Sequence, residues 1–361
     1  MPLGCRMIRF PLPVPIRRFL APRAEYSPPP GMRILVLGSR CLREEYKILE
    51  DNHEVTYVDV RQLDMARDRL LHVIRETQAD VLLRTYVPAW NMSWRFDEEF
   101  IASLPPSVRL IALSTAGAES THLRACRERG ILVSHSGGAN SAATADTTLY
   151  LLLSSVLRMP RAHHQLSQGR WSQAYETPRG LSELTLGIVG MGHIGKQVAY
   201  RAKAFGLRLH YYSPTPLSAE EEQSLALTFA PLDTLLRTSD VITLHVPLTR
   251  ATYHLIDAAA LAKMKRGAVL INTSRGKIVD EEALVAALES EHLGAVGLDV
   301  YEHEPHVHPG LLGRQNATLL PHIASFTSGA FRSMERSAIE NVRAFAETGK
   351  PLHPIKYQEQ P

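Results

Sequence analysis

One glycine-rich turn constrains the fold of this chain more than any other feature of its sequence. Residues 186–195 read LGIVGMGHIG, so a run typical of a buried strand leads into the spacing G-x-G-x-x-G and then into a helical pattern. In such a turn Gly190 permits the tight bend, Gly192 lets backbone N–H groups approach a diphosphate, and Gly195 lets the helix pack on the strand. Because a helix N-terminus attracts anions, the segment predicts a dinucleotide-binding site.

Strand-like and helix-like segments alternate along most of the chain. The predicted strands form two series, 34–37, 55–58, 81–83, 110–113 and 131–133, then 186–189, 207–212, 241–245, 268–272, 296–299 and 318–320. Helical patterns lie between the strands, with a long apolar helix predicted over about 142–158 and a closing helix over about 329–348. The alternation predicts an α/β protein with two lobes, each built on a parallel sheet.

The first 31 residues differ in composition from the rest of the chain. They contain five arginines against Glu25 alone, and eight of the 23 prolines. Proline removes backbone donors and breaks helices, so we expect a disordered extension over residues 1–31. An arginine-rich and acid-poor segment is also typical of a mitochondrial presequence, although Pro11, Pro13 and Pro15 interrupt the amphipathic helix that such a signal needs.

The remaining residues exclude several classes of partner. They carry 35 basic and 36 acidic side chains, so the body has no positive surplus for nucleic acid. No apolar run approaches the roughly 20 residues of a membrane span. Three cysteines form neither a disulfide framework nor a metal-ligand spacing, so we expect the cytoplasm, with mitochondria open through residues 1–31. His303, His306 and His308 lie in a polar loop without further clustered ligands, and we expect no metal there.

The residues after the second strand of the nucleotide-binding unit bear on cofactor type. An acidic residue that binds the ribose 2′-hydroxyl is expected about 20 residues after the glycine motif, and this sequence has Ser213 there, followed by Thr215. Without the carboxylate, a 2′-phosphate is not repelled, and both hydroxyls can donate to it. No arginine follows to bind that phosphate. The pattern favours NADP or the use of both cofactors, and NAD stays open.

From Met32 to about Pro354 the chain resembles the D-isomer-specific 2-hydroxyacid dehydrogenases, and within them the glyoxylate/hydroxypyruvate reductases. Four sequence blocks carry the resemblance, in the family's order and spacing, namely residues 187–195, 272–280, 297–305 and 320–325. Weaker matches lie at 116–119, 138–146 and 245–249.

The resemblance implies a definite architecture. Two Rossmann-like or flavodoxin-like domains are expected, with the NAD(P)-binding domain, residues 138–321, inserted into a discontinuous substrate-binding domain, residues 32–137 and 322–361. It also implies a homodimer with the helix over 142–158 at the interface.

The same resemblance assigns three catalytic residues. Arg275 follows a strand end, where open α/β sheets bind ligands, and a guanidinium can hold a carboxylate with two hydrogen bonds. His322 follows another strand end and can give a proton to the forming alkoxide. Glu304 matches the carboxylate that hydrogen-bonds this imidazole, which favours its protonated form.

Cofactor and substrate contacts are also implied by the matching positions. For the cofactor they are Gly190, Gly192, His193, Ile194, Gly195, Ser213, Thr215, His245, Pro247, Thr273, Ser274 and Asp299. For the substrate they are Tyr86, Val87, Arg275 and Ser325. Trp90 and Trp94 differ from the residues found in many relatives. Two interpretations stay open: that they line a pocket for a larger apolar 2-oxo acid, or that they only pack within the loop.

The leading functional hypothesis is NAD(P)H-dependent reduction of glyoxylate, hydroxypyruvate or a related 2-oxo acid to the D-2-hydroxy acid. One alternative is an enzyme similar to D-3-phosphoglycerate dehydrogenase. A second alternative, from a different class, is a non-catalytic NAD(H)-sensing protein similar to transcriptional corepressors of this fold.

Overall fold

The structure of the chain is a computed structural model, and it describes residues 31–38, 40–58, 67–85, 95–171 and 177–355. Within these ranges the strands pair in parallel and form two sheets. The predicted α/β fold with two lobes is confirmed. The extension predicted over residues 1–31 lies outside the described residues, apart from Gly31.

The first sheet has five strands in the spatial order β2-β1-β3-β4-β5 within the described residues. The strands are β1 Arg33–Leu37, β2 Glu54–Val58, β3 Val81–Arg84, β4 Leu110–Leu113 and β5 Leu132–Ser134. The helices that follow them are α1 Arg43–Glu50, α2 Arg67–Glu76, α3 Glu98–Ser103 and α4 Leu123–Glu128. The central strands are almost entirely apolar because helices cover both faces of the sheet.

The second sheet has seven strands in the order β12-β11-β10-β9-β6-β7-β8 within the same residues. They are β6 Thr185–Val189, β7 Arg208–Tyr212, β8 Leu227–Phe229, β9 Val241–Leu244, β10 Ala268–Asn272, β11 Leu293–Leu298 and β12 Ala317–Leu319. The helices of this lobe are α5 Ser141–Val156, α6 Met159–Ser167, α7 His193–Ala204, α8 Ala219–Leu225, α9 Leu232–Thr238, α10 Ala258–Lys263 and α11 Glu281–Glu289.

The C-terminal helix returns to the first sheet. This helix, α12 Ser328–Thr348, buries Ala338, Ile339, Val342 and Phe345 in one cluster with residues of β1, β3 and β4. The second lobe is therefore inserted between β5 and α12, which confirms the predicted discontinuous arrangement. Asn341 on α12 donates to the carbonyl of His135 at 2.9 Å, and this bond ties the returning helix to the end of β5.

The long apolar helix is shorter than its sequence predicts. It ends at Val156 rather than at residue 158, because Arg158 adopts the left-handed conformation with φ of 53°. A separate helix, α6, then follows over Met159–Ser167. Strand β8 also has no counterpart in the predicted strand series, because it is a short element without a clear period.

Parallel strands place their carboxyl ends at one edge of each sheet, and that edge carries the candidate residues. Arg275 follows β10, Asp299 follows β11 and His322 follows β12. Within the part of the chain that the structure describes, no helix has both the length and the apolar character needed to cross a bilayer.

Candidate active site

The glycine motif forms a close-packed turn between β6 and α7. Gly190 has φ of 99°, and a Cβ there would lie 2.5 Å from the carbonyl oxygen of His245. A Cβ on Gly195 would lie 2.1 Å from the carbonyl oxygen of Gly190. Only glycine fits these two positions, because in each case the obstructing atom belongs to the backbone.

The opposite side of this turn is open. A Cβ on Gly192 would meet no atom within 4 Å, and Gly192 caps α7 without a side-chain hydrogen bond. The first N–H groups of α7, beginning with His193, are thus free of a capping side chain, as anion binding at a helix N-terminus requires. These features fit a dinucleotide whose diphosphate lies at the start of α7.

Other residues predicted to contact the cofactor follow strands β7 and β9, which lie on either side of β6. Ser213 and Thr215 follow β7, where Ser213 is half-buried and Thr215 is exposed. His245 follows β9, and its Nε2 lies 2.9 Å from Thr243 Oγ1, while its Nδ1 is buried without a partner among the described residues. Burial lowers the pKa of His245 to about 3, so the ring is neutral near pH 7.

The segment after β10 is braced by its own strand. Asn272 Oδ1 accepts from the N–H of Ser274 at 3.0 Å and from its hydroxyl at 2.8 Å, and Asn272 Nδ2 donates to the carbonyl of Arg275 at 2.8 Å. Thr273 Oγ1 lies 2.9 Å from Thr148 Oγ1 on α5. This bracing fixes the backbone that carries the Arg275 side chain.

Close backbone contact brings the Arg275 segment against the segment that carries Glu304. A Cβ on Gly276 would lie 1.9 Å from the carbonyl carbon of Tyr301. The N–H of Tyr301 donates to Glu304 Oε1 at 3.0 Å. The glycine that follows Arg275 therefore permits the close approach of the two segments that carry Arg275 and Glu304, which are separate in sequence.

His322 and Glu304 form the hydrogen bond that the sequence predicts. His322 Nδ1 lies 2.7 Å from Glu304 Oε2. Burial raises the pKa of the Glu304 carboxyl, but the hydrogen bond and charge of His322, the Tyr301 N–H and the charge of Arg275 together hold it below its ordinary value. Glu304 is therefore ionised at neutral pH and orients the imidazole.

Asp299 holds the loop that carries His322 through hydrogen bonds. Its Oδ1 accepts from the N–H of Ile323 at 2.7 Å and its Oδ2 from the N–H of Ala324 at 2.9 Å, while its carbonyl accepts from the N–H of His322. Burial raises the pKa of Asp299 against the lowering effect of these two N–H groups. Asp299 is fully buried and braces the His322 loop.

A carboxylate from the first lobe contacts Arg275 across the cleft. Glu119, in the loop after β4, accepts from Arg275 Nε at 2.8 Å and from Arg275 Nη2 at 3.1 Å. Sequence reasoning assigned Glu119 no role, and its one signal was the weak family match at residues 116–119. The two residues are 156 positions apart, so no local pattern links them.

The remaining predicted residues divide into two groups. Tyr86, Val87, Trp90 and Trp94 lie outside the described residues. Ser325 is half-buried in the loop after His322, where its carbonyl accepts from the N–H of Thr327. Pro247 lies in the loop after β9, and Thr252 Oγ1 donates to its carbonyl.

Comparison with known proteins agrees with this geometry. A family profile described as "D-isomer specific 2-hydroxyacid dehydrogenase, NAD binding domain" matches residues 149–324. The 4-methyl-2-oxopentanoate reductase A of Aspergillus oryzae is 36% identical over 295 residues, which cover 81% of this chain and 89% of that protein. The chain belongs to the D-isomer-specific 2-hydroxyacid dehydrogenase family.

Solved structures of the family are similar over nearly the whole chain. A glyoxylate reductase from Paecilomyes thermophila has 34% identity and a TM-score of 0.81, and the match covers 90% of this chain and 98% of that one. The D-mandelate dehydrogenase of Rhodotorula graminis has 31% identity and a TM-score of 0.82, over 92% of this chain and 100% of that one. This dehydrogenase is thus an oxidoreductase that uses NAD or NADP and reduces 2-oxo acids to D-2-hydroxy acids.

Proposed function

We propose that this dehydrogenase binds the carboxylate of a 2-oxo acid on Arg275 and protonates the reacting oxygen from His322. The observation that carries the proposal is the 2.7 Å contact between His322 Nδ1 and Glu304 Oε2. It turns the other ring nitrogen, Nε2, away from Glu304, and Nε2 has no hydrogen-bond partner among the described residues. A protonated Nε2 is then the donor that the substrate carbonyl needs.

Each side chain has a separate part in the reduction. The bound reduced nicotinamide supplies the hydride. Arg275 aligns the substrate through its carboxylate and draws electron density from the adjacent carbonyl. His322 transfers its proton to the carbonyl oxygen as that oxygen gains charge, and Glu304 stabilises the ring while it is protonated. In the reverse direction His322 accepts the proton from the hydroxyl group.

The test of these roles is a steady-state panel of 2-oxo acids with each reduced cofactor. Turnover with at least one acid is expected, with loss of nicotinamide absorbance and formation of the D-product. Measurable cofactor binding without turnover on any acid would instead favour the NAD(H)-sensing alternative.

Within the 2-oxo acids, we propose monocarboxylates with an apolar side chain as substrates, alongside glyoxylate and hydroxypyruvate. Two of the similar proteins support this range, since they are named for 4-methyl-2-oxopentanoate and for mandelate. The tryptophans at 90 and 94 are a further reason to expect a larger pocket. A kcat/KM for 4-methyl-2-oxopentanoate far below that for glyoxylate would contradict this range.

For the cofactor, we propose that NADP is preferred or that both cofactors are used. Ser213 lies at the end of β7, where an acidic residue would repel a 2′-phosphate. Replacing Ser213 with Glu should lower kcat/KM for NADPH by at least tenfold and leave NADH less affected. A large preference for NADH in the unchanged protein would exclude the proposal.

We also propose the domain limits 32–137 with 322–361 for the substrate-binding domain and 138–321 for the cofactor domain. The positive φ angles of Gly137 and Gly138 support a hinge at the first limit, since consecutive left-handed residues mark a sharp change of chain direction. The left-handed conformation of His322 supports the second limit. Limited proteolysis with and without cofactor is expected to cut near these limits first.

We propose a homodimer on the surface formed by α5, α6 and Trp171, which lies four residues beyond the end of α6. No residue of α6 is buried, and the exposed apolar side chains here include Tyr150, Met159, Leu166 and Trp171, the last at 78%. Such a patch is typical of a protein interface. Light scattering after size exclusion should give twice the chain mass for the unchanged protein. The double variant that carries Leu166→Lys and Trp171→Lys should have the mass of a monomer. A monomeric unchanged protein would contradict the proposal.

For the compartment, we propose the cytoplasm. Cys126, which is buried and forms no disulfide, supports a reducing environment. Fractionation of cells that express the full chain tests this against mitochondrial import directed by residues 1–31.

A further inference from the structure

Glu119 and Arg275 form an ion pair that joins the two lobes at the substrate end of the cleft. The guanidinium donates through Nε at 2.8 Å and Nη2 at 3.1 Å to the two oxygens of the Glu119 carboxylate. We propose that Glu119 is a positioning residue, which holds the Nε and Nη2 edge of the Arg275 guanidinium and leaves the adjacent Nη1 and Nη2 edge for the substrate carboxylate. This inference rests on the proposed role of Arg275 as the carboxylate-binding residue.

The hydrogen-bond inventory of Arg275 supports this division. A guanidinium has five N–H groups, one on Nε and two on each terminal nitrogen. Glu119 accepts the Nε–H and one Nη2–H, and the carbonyl of Ser274 accepts one Nη1–H at 2.6 Å. One N–H on Nη1 and one on Nη2 remain, and two such parallel donors match the oxygens of a carboxylate. Glu119 and the substrate can thus bind Arg275 together.

The backbone of the first lobe is shaped to admit the ion pair. A Cβ on Gly117 would lie 2.0 Å from Arg275 Nη2 and 2.2 Å from Glu119 Oε2. Any side chain at residue 117 would therefore occupy the space of the pair. Thr115 Oγ1 donates to the carbonyl of Gly117 at 2.7 Å and holds this short loop in place.

The Glu119 carboxyl is negatively charged at neutral pH. Burial raises the pKa of the Glu119 carboxyl, but the charge and hydrogen bonds of Arg275 and the charge of His322 hold it below its ordinary value. In return, the charge of Glu119 is the main cause of the raised pKa of Arg275. The pair is therefore fully ionised at neutral pH, where an Arg–carboxylate contact has its greatest orienting effect.

The opposite interpretation is that Glu119 imitates the substrate and blocks Arg275. In that case removing the carboxylate would free the guanidinium and lower KM. Loss of a negative charge beside an anion-binding site also lowers KM by electrostatics alone. A rise in KM on removing this charge consequently isolates the orienting role, because both other effects have the opposite sign.

The experiment is Glu119→Gln in the full-length enzyme, assayed with a 2-oxo acid that the unchanged enzyme reduces. Glutamine keeps the shape but presents an amide N–H to Nη2, so the guanidinium loses its fixed edge. We expect KM for the 2-oxo acid to rise at least tenfold, a smaller fall in kcat, and an unchanged Kd for NADPH.

A double-mutant cycle separates positioning from general damage. Lysine cannot use two parallel donors, so in an Arg275→Lys background Glu119→Gln should change KM by less than threefold. The matched control is Glu45→Gln. It removes the ion pair between Glu45 on α1 and Arg336 on α12, whose atoms lie 2.9 Å apart, away from the cleft. This variant should leave KM for the 2-oxo acid unchanged.

Three results would overturn the inference: an unchanged KM in Glu119→Gln, a lowered KM, or an equal effect in the Arg275→Lys background. If Glu119→Gln does not fold, as judged by NADPH binding, Glu119→Ala, which also removes the charge, replaces it with the same criteria. Absence of 2-oxo acid turnover in the unchanged enzyme would refute the proposed function instead.

Discussion

His322 Nδ1 lies 2.7 Å from Glu304 Oε2, and the His322 backbone is held in the left-handed region with φ of 56°. This conformation costs a non-glycine residue about 1 kcal/mol or more, and such strain persists where the surroundings hold it. Here the holding contacts are the hydrogen bonds from the His322 loop to the buried Asp299. The imidazole is thus oriented by Glu304 through its ring and by Asp299 through its backbone.

Replacing His322 with Ala should lower kcat for reduction by about 10² to 10⁴, the usual contribution of a general acid. The Kd for NADPH, measured by fluorescence, should change little because the glycine turn that fits the diphosphate is on another strand. A comparable loss of NADPH affinity would mean that His322 has a structural role rather than a proton-donating one.

Glu304→Gln should change the pH dependence of reduction. Glu304 is ionised at neutral pH and favours the protonated imidazole, which is the form that gives up a proton. Without this charge, kcat/KM should begin to fall at a lower pH than in the unchanged enzyme. The measurement is a pH profile of kcat/KM for both proteins, and superimposable alkaline limbs would contradict the assigned role of Glu304.

Gly276→Ala should lower both thermal stability and kcat. The added Cβ would lie 1.9 Å from the carbonyl carbon of Tyr301, so the segments that carry Arg275 and Glu304 must move apart. The matched control is Gly329→Ala in α12, where a Cβ meets no atom within 4 Å and the melting temperature should stay the same or rise. Thermal unfolding and initial rates are measured together, and wild-type kcat in Gly276→Ala would show that this contact is unimportant.

Asp240→Asn should destabilise the second lobe at neutral pH by about 2 kcal/mol, since it removes the charged acceptor of one buried N–H and of two cationic side chains. Asp240 Oδ2 accepts from the N–H of Thr185 at 2.8 Å, and its Oδ1 pairs with Lys265 and Arg179 at 3.0 Å each. Burial raises the pKa of Asp240, but these three partners lower it below the ordinary value of 3.8.

Because the folded pKa is lowered, the stabilisation is present above pH 3.8 and is lost as the pH falls through the folded value. The difference in melting temperature between Asp240→Asn and the unchanged protein should therefore persist from pH 7 to pH 4. Asp233→Asn is the control, because Asp233 also pairs with two cations but is exposed, and its melting temperature should barely change. A difference that disappears between pH 7 and pH 5 would contradict this assignment.

The sequence alone determined the features that depend on local pattern. The glycine spacing required a strand, a tight turn and a helix in that order, and β6 and α7 follow it within a residue or two. The placement of Arg275 and His322 after strands was also predictable, because parallel strands bring their carboxyl ends to one edge. The periodic pattern failed at the end of α5, where one left-handed residue, Arg158, separates two helices.

Only the tertiary structure decided which distant side chains meet. Glu119 and Arg275 contact each other across two lobes, and Gly276 contacts the backbone of Tyr301. Such contacts depend on how two sheets and their connections pack, which hydrophobic period and turn chemistry do not specify. The sequence thus placed the predicted catalytic residues Arg275 and His322 after strand ends, and the packing of the lobes decided how Arg275 is oriented.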